Sequence, residues 1–362
     1  MPSPIVGRAG AGGHPCQGVY HRPRGGWPAV AVIATHYNVD FSEHYLAELC
    51  ANRGVGFLGW NTRFRGAEQY FLLDHAIAEI AVGVRWLREV AGAETIVLLG
   101  NSGGGSLMAA YQSQSIEPNL KPEYGRSEIV ASAIDVPGAD LYVSLAAHPG
   151  RPEVLTNWMD PSVGNEGDSL SVIESLDPFA EGREIPFSED FVSKYREAQR
   201  DRNYRITKWV RDEIDLMASA GYHDRLFTTP RLWADLRMID GSIDPSNRKS
   251  PSCYLGDPRR ANYGIYGVGT VSSLRTWLSM WSLNESQCSA APHLERINVP
   301  SLVIDADGDS GVFPSDTQAI VESLGSKDLT TLTISGDHYL RDRENARDEV
   351  ADVIVDWIQE RS

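Results

Sequence analysis

Short runs of consecutive apolar residues punctuate the chain: Ala29–Ala34, Val55–Trp60, Ile96–Gly100, Leu141–Ala147 and Ser301–Ile304. None alternates apolar with polar. Strands buried on both faces read this way, as the strands of a parallel sheet do. Gln17–Arg22 reads as an early strand closed by Pro23-Arg24-Gly25-Gly26, and Leu329–Ile334 as a late one. Between the strands the pattern turns helical. Ser42–Asn52 is one predicted helix, with Ser42 as its candidate cap. Ala67–Val90 is another, in which Leu73, Ile77, Ile80, Val84 and Leu87 form one apolar stripe. Val350, Val353, Ile354, Trp357 and Ile358 mark a last helix. Strand and helix alternate, and the economical fold is an α/β one: a mostly parallel central sheet with helices on both faces.

The alternation stops between Arg151 and Asn298, where the chain becomes aromatic, polar and rich in turns. Phe191–Met217 is expected to hold two helices and Ser272–Leu283 another. The predicted organisation is a flexible tail over 1–13, a core over 14–150, a mainly helical cap or lid over 151–298, and the rest of the core over 299–362. Asp160-Pro161 and Asp244-Pro245 read as turns. No internal repeat or low-complexity tract is visible.

Composition narrows the function classes. Of 362 residues, 42% are hydrophobic and 23% charged, as in an ordinary globule. The formal net charge of -16 argues against nucleic acid and anionic membrane as partners. Cys16, Cys50, Cys253 and Cys288 are scattered, which indicates neither a zinc site nor a disulfide framework. No apolar run approaches the roughly 20 residues of a membrane span. Residues 1–13 lack the apolar centre of a secretory signal. The expectation is a cytoplasmic protein with reduced thiols and a small-molecule substrate, with no metal or organic cofactor; a homo-oligomer is compatible with the sequence.

The candidate chemistry lies at the ends of the apolar runs. In Leu99-Gly100-Asn101-Ser102-Gly103-Gly104-Gly105 a strand ends, a serine follows, and a helix-forming stretch begins. Small residues suit a turn that holds a serine in strained backbone close to its neighbours. The following helix directs its N-terminal N–H groups at the reacting oxygen. A phosphate-cradling turn is disfavoured, because no G-x-G-x-x-G register or Lys-Ser/Thr pair completes it. A serine hydroxyl needs a base, and the base needs an acid to orient it. Three carboxylates, Asp305, Asp307 and Asp309, follow the strand Leu302–Ile304, and His338 follows the last strand.

In these residues the chain resembles the α/β-hydrolase superfamily. Gly100-x-Ser102-x-Gly104 matches its nucleophile turn. Ala306-Asp307-Gly308-Asp309-Ser310-Gly311-Val312-Phe313-Pro314 matches its strand, Gly-x-x-Asp, short apolar stretch, then Pro, with Ala306 where glycine is usual. Gly336-Asp337-His338 matches its Gly-x-His loop. The resemblance covers roughly residues 28–150 and 299–360. It implies Ser102 as nucleophile, His338 as base and Asp309 as acid, with Asp307 and then Asp305 as alternatives. It implies an oxyanion hole from the Gly103 N–H and a donor in the turn His36-Tyr37-Asn38, where the family often has His-Gly-x. Asn38 is favoured through its N–H and Tyr37 comes second. His36 is read as a structural hydrogen bonder.

Substrate specificity is expected in the cap. Trp158 and Trp233, among its many aromatics, are candidate pocket residues, as are His148 at the end of a core strand and the Tyr37 ring. Arg63 and Arg65 could meet an acidic substrate, although a solvated loop is the simpler reading. The implied activity is hydrolysis of a carboxylic ester or lactone of a bulky apolar compound. A carbon–carbon bond hydrolase or an acyltransferase could use the same triad. A ligand-binding protein without catalysis, on the same fold, is the remote alternative.

Overall fold

A computed structural model of the protein describes residues 16–127 and 135–362. The expected tail over 1–13 lies outside the described residues. Seven strands form one sheet in the order β1-β3-β2-β4-β5-β8-β9. They are β1 (Gln17–His21), β2 (Val30–Ala34), β3 (Gly56–Asn61), β4 (Thr95–Asn101), β5 (Leu141–Leu145), β8 (Ser301–Ala306) and β9 (Leu329–Ile334). β1 pairs antiparallel with β3, and every other pairing is parallel. In the cap, β6 (Leu226–Thr228) and β7 (Val271–Ser273) form a separate antiparallel pair.

Apolar residues on both sides of each strand explain the two packed layers. Along β4, Ile96 and Leu98 enter one cluster while Val97 and Leu99 enter the other. Successive side chains point to opposite faces, so an unbroken apolar run must be covered twice. The first cluster takes α2 (Leu73–Glu89) and α3 (Gly104–Ile116). The second takes α1 (Ala47–Asn52) and the last helix, Ala346–Gln359, through Val350, Ile354, Trp357 and Ile358.

Helix starts differ from the sequence expectation where tertiary contacts set them. α2 begins at Leu73, six residues after Ala67, because the Ser279 hydroxyl of the inserted segment takes the Leu73 N–H at 3.0 Å. α1 begins at Ala47, not Ser42; the Ser42 hydroxyl instead accepts from Asn61 Nδ2 at 2.8 Å.

The inserted segment leaves after β5 and returns at β8, its direct neighbour in the sheet. It opens with α4 (Arg151–Trp158) and contains one helix of 31 residues, α5 (Glu189–Ser219), where two were expected. Ser272–Leu283 is not one helix: β7 runs into a short helical stretch that widens to a π-turn over Trp277–Trp281. The insertion has a small cluster of its own, Phe187, Tyr195, Leu236 and Ile239, but much of it shares the core of the sheet. Ile206, Val210, Trp277 and Trp281 belong to the same buried cluster as Ile77, Ile80 and Leu107. A core helix, Pro314–Ser323, follows β8 and carries Asp316 toward Arg237 of the insertion at 3.0 Å. Among the described residues no helix is long and apolar enough to cross a membrane.

His44 shows how burial couples the fold to pH. It lies between the rings of Tyr45 and Phe57, at 4.4 and 5.3 Å. Its Nδ1 accepts the Leu46 N–H at 3.2 Å, so Nε2 carries the proton toward Asn101 Oδ1 at 3.1 Å. Burial lowers its pKa from 6.5 to about 4. The folded state therefore favours the neutral ring. Its contribution is complete above pH ~6.5 and is lost as pH falls toward ~4, a span worth roughly 3 kcal/mol. Denaturation titrations between pH 7 and 4 should show a steep acid loss of stability, and His44→Gln should remove part of it, leaving the share of the other buried imidazoles, His36 and His148.

Candidate active site

β4 delivers Ser102 at its carboxyl end, ahead of α3. Ser102 has φ 55, a left-handed conformation that costs a non-glycine residue about 1–3 kcal/mol. Neighbouring strands hold it there. Its N–H donates to the Leu145 carbonyl at 3.1 Å, and its carbonyl accepts from His148 N at 3.1 Å. A side chain at Gly100 would meet Gly105 Cα at 2.6 Å, and one at Gly104 would overlap the Thr35 carbonyl oxygen. Close approach fixes glycine at both positions.

The structure brings Ser102, His338 and Asp309 into one line. His338 Nε2 lies 3.0 Å from Ser102 Oγ, and His338 Nδ1 lies 2.5 Å from Asp309 Oδ2. Asp309 is 1% exposed, and its Oδ1 accepts the N–H groups of Gly311 and Val312 at 2.8 and 3.0 Å. The two alternative carboxylates have other partners. Asp305 accepts from Thr317 Oγ1 at 3.1 Å, and Asp307 accepts from Gly336 N and Asn247 Nδ2 at 3.2 and 2.8 Å.

A fourth group, which the sequence did not suggest, completes the line. The Tyr254 hydroxyl, from the insertion, lies 3.3 Å from Asp309 Oδ1 and 3.0 Å from His338 Nδ1. Burial, and then the Asp309 charge, raise the Tyr254 pKa well above its ordinary value, so the phenol keeps its proton and donates it. Its ring lies 4.3 Å from the His338 ring. Any side chain at Gly311 would overlap that ring, so this glycine makes room for the tyrosine.

On the oxyanion side the picture differs from expectation. The Tyr37 ring does not wall the pocket: it is fully buried, donates or accepts at Ser106 Oγ over 3.0 Å, and packs on Phe71 at 4.8 Å. The Asn38 N–H faces His36 Nδ1 at a long 3.4 Å, and Asn38 Nδ2 donates to Glu68 Oε2 at 2.5 Å. Asn38 is therefore partly engaged by its neighbours. Among the described residues, neither the Gly103 nor the Tyr37 N–H has an acceptor. His36 is buried and neutral; burial and then Arg151 lower its pKa well below the usual value. It is a structural hydrogen bonder, with Nδ1 3.0 Å from Asn38 Oδ1.

A cavity of about 440 Å³ opens over Ser102 and His338. His148, Trp158 and Trp233 line it, together with Tyr254, Asn38 and Arg151. Trp158 and Trp233 pack with ring centres 4.7 Å apart and planes tilted by 30°, and both lie within 6.2 Å of the Tyr254 ring. Arg63 and Arg65 are not poised for an acidic substrate: Arg63 is held by Glu79 at 2.7 Å and Arg65 by Asp40 at 2.8 Å. Arg151 went unnoticed in the sequence, although it stands directly after the strand-end residues His148-Pro149-Gly150. Its position at the carboxyl end of a parallel strand was the available signal.

No protein-family model matches the chain, and no curated protein matches it in sequence. Solved structures do match. DcsB in complex with its substrate analogue aligns over 94% of this chain and 93% of its own, at 12% identity and a TM-score of 0.50. A monoacylglycerol lipase from Paleococcus ferrophilus aligns over 96% and 98%, at 15% identity and 0.47. Est1E from Butyrivibrio proteoclasticus, with ferulic acid bound, aligns over 96% and 95%, at 10% identity and 0.48. At such identities the likeness concerns the fold alone. The protein has the α/β-hydrolase fold, a mostly parallel sheet with helices on both faces.

Proposed function

We propose that the protein is a serine hydrolase that cleaves a carboxylic ester or lactone through an acyl-enzyme on Ser102. The observation that carries this reading is the unbroken line from Ser102 Oγ through His338 to Asp309. His338 Nε2 takes the Ser102 proton as Oγ attacks the carbonyl carbon. The ester C–O bond then breaks, and the same proton goes to the leaving alcohol. Water, deprotonated by His338, attacks the acyl-enzyme, and the proton returns to Ser102. Asp309 holds the imidazole with its Nδ1–H toward the carboxylate and stabilises the imidazolium. The Gly103 N–H, with that of Tyr37 or Asn38, takes the oxyanion. Trp158 and Trp233 favour a bulky apolar portion on the substrate.

Fluorophosphonate labelling, read by intact mass and peptide mapping, tests the reading. One adduct on Ser102 is expected in the wild type, and none in His338→Ala. A folded wild type that takes no label would contradict an activated serine.

A further inference from the structure

Arg151 lines this pocket, and serine hydrolysis of a neutral ester does not use it. It opens α4 and is 3% exposed. Among the described residues its guanidinium makes no hydrogen bond, and its Nε and Nη2 are enclosed with no partner. The similarly buried Arg202, Arg231 and Arg237 behave differently: each holds a carboxylate of this chain, Glu166, Asp160 and Asp235 respectively. Glu68, a carboxylate whose charge Arg151 feels, accepts from Asn38 Nδ2 and Gly269 N at 2.5 and 2.8 Å and makes no ion pair with Arg151.

What holds Arg151 is aromatic. Its Cζ lies 4.5 Å from the Tyr37 ring centre and 5.6 Å from that of Trp281. These faces favour the cation, but they offer it no oxygen or nitrogen acceptor. The guanidinium also reaches the nucleophile turn: a Cβ at Gly103 would lie 2.6 Å from Nη2. His148 Nδ1, lining the same cavity, is likewise enclosed without a partner. Buried donors are rarely left unpaired unless something outside the chain completes them.

We propose that Arg151 anchors an anionic group of the substrate, and that the substrate is an ester bearing a carboxylate a few atoms from the scissile carbonyl, such as the half-ester of a dicarboxylic acid. A guanidinium that lines the cavity can donate a charge-assisted hydrogen bond to a carboxylate oxygen. Hydrolysis would add water across the ester bond and release the dicarboxylate and an alcohol. The reaction rests on the ester-hydrolase reading above; the anion site does not.

The test compares kcat/KM for monomethyl esters of succinate, glutarate and adipate with methyl alkanoates of equal chain length. For at least one length the wild type should prefer the acid by about tenfold or more. In Arg151→Met that ratio should fall by about tenfold, and Arg151→Lys should restore part of it. A wild-type ratio of about one or less at every length, or a ratio unchanged in Arg151→Met, overturns the proposal. Circular dichroism checks each fold; should Arg151→Met not fold, the wild-type ratio and Arg151→Lys decide. Calorimetric titration with glutarate separates the two readings. If no ester is cleaved but glutarate binds the wild type and binds more weakly to Arg151→Lys, the anion site stands and the ester reading fails. If glutarate does not bind, the anion site fails whatever the esters show.

Discussion

Ser102→Ala is expected to abolish ester turnover, lowering kcat by about 10⁴- to 10⁶-fold, while the protein stays folded. The size of the effect follows from the geometry. Ser102 Oγ is the only hydroxyl hydrogen-bonded to His338 Nε2 among the described residues, so removing it leaves the base with nothing to activate except water. Stability should move in a way that separates the backbone from the side chain. Ser102 holds φ 55, and alanine inherits that strain, but glycine does not. Ser102→Gly should therefore be more stable than Ser102→Ala by about 1 kcal/mol, and equally inactive. Hydrolysis of an aryl ester, beside urea denaturation of both variants, checks the two halves together. An Ser102→Ala protein that retains the wild-type rate would remove Ser102 from the mechanism.

That turn was legible in the sequence because strand, serine and glycines are contiguous, and because close packing at Gly100 and Gly104 admits little else. The core strands were legible for a related reason: β4 is buried on both faces and therefore reads as one apolar run. The acid was harder. Three aspartates within five residues have the same chemistry, and only the register of the family resemblance distinguished Asp309. In three dimensions the difference is the pair of backbone N–H groups from Gly311 and Val312 that converge on its Oδ1.

The insertion was poorly legible for a physical reason. Along α5 the buried face mixes Ile206, Val210 and Ile214 with Gln199, Arg202, Asn203 and Thr207. Those polar side chains are satisfied inside: Gln199 donates to the Met159 carbonyl at 2.8 Å, and Asn203 to that of Trp281 at 2.9 Å. A helix that buries so much polar surface loses its apolar stripe, and 31 residues read as two weaker helices. Tyr254 and Arg151 were obscured in the same way. An isolated tyrosine or arginine in a polar stretch carries no periodicity, and only the tertiary fold brings it to His338 or to the nucleophile turn.

Asp160→Ala is expected to destabilise the protein by about 3–5 kcal/mol, because it leaves a buried cation unpaired. Asp160 is fully buried, and its Oδ2 accepts from Arg231 Nε and Nη2 at 3.0 and 2.5 Å and from Asn262 Nδ2 at 2.6 Å. By contrast, the exposed pair Lys194–Asp190 on α5 should be worth only ~0.5 kcal/mol, since water and salt screen it. The loss should reach the pocket through the backbone. The Asp160 N–H donates to the Arg231 carbonyl at 3.0 Å, and Ala234 N donates to the Trp158 carbonyl at 2.9 Å. Asn262, released from Asp160, is also the acceptor for the Trp233 N–H at 3.1 Å. Both tryptophan walls thus hang on the segments that this carboxylate ties together. Urea denaturation of Asp160→Ala, Arg231→Met and the double variant measures the coupling. The double variant should be more stable than Asp160→Ala alone, because it removes the stranded charge along with its partner. If the single aspartate variant costs less than about 1 kcal/mol, this pair does not hold the walls of the pocket.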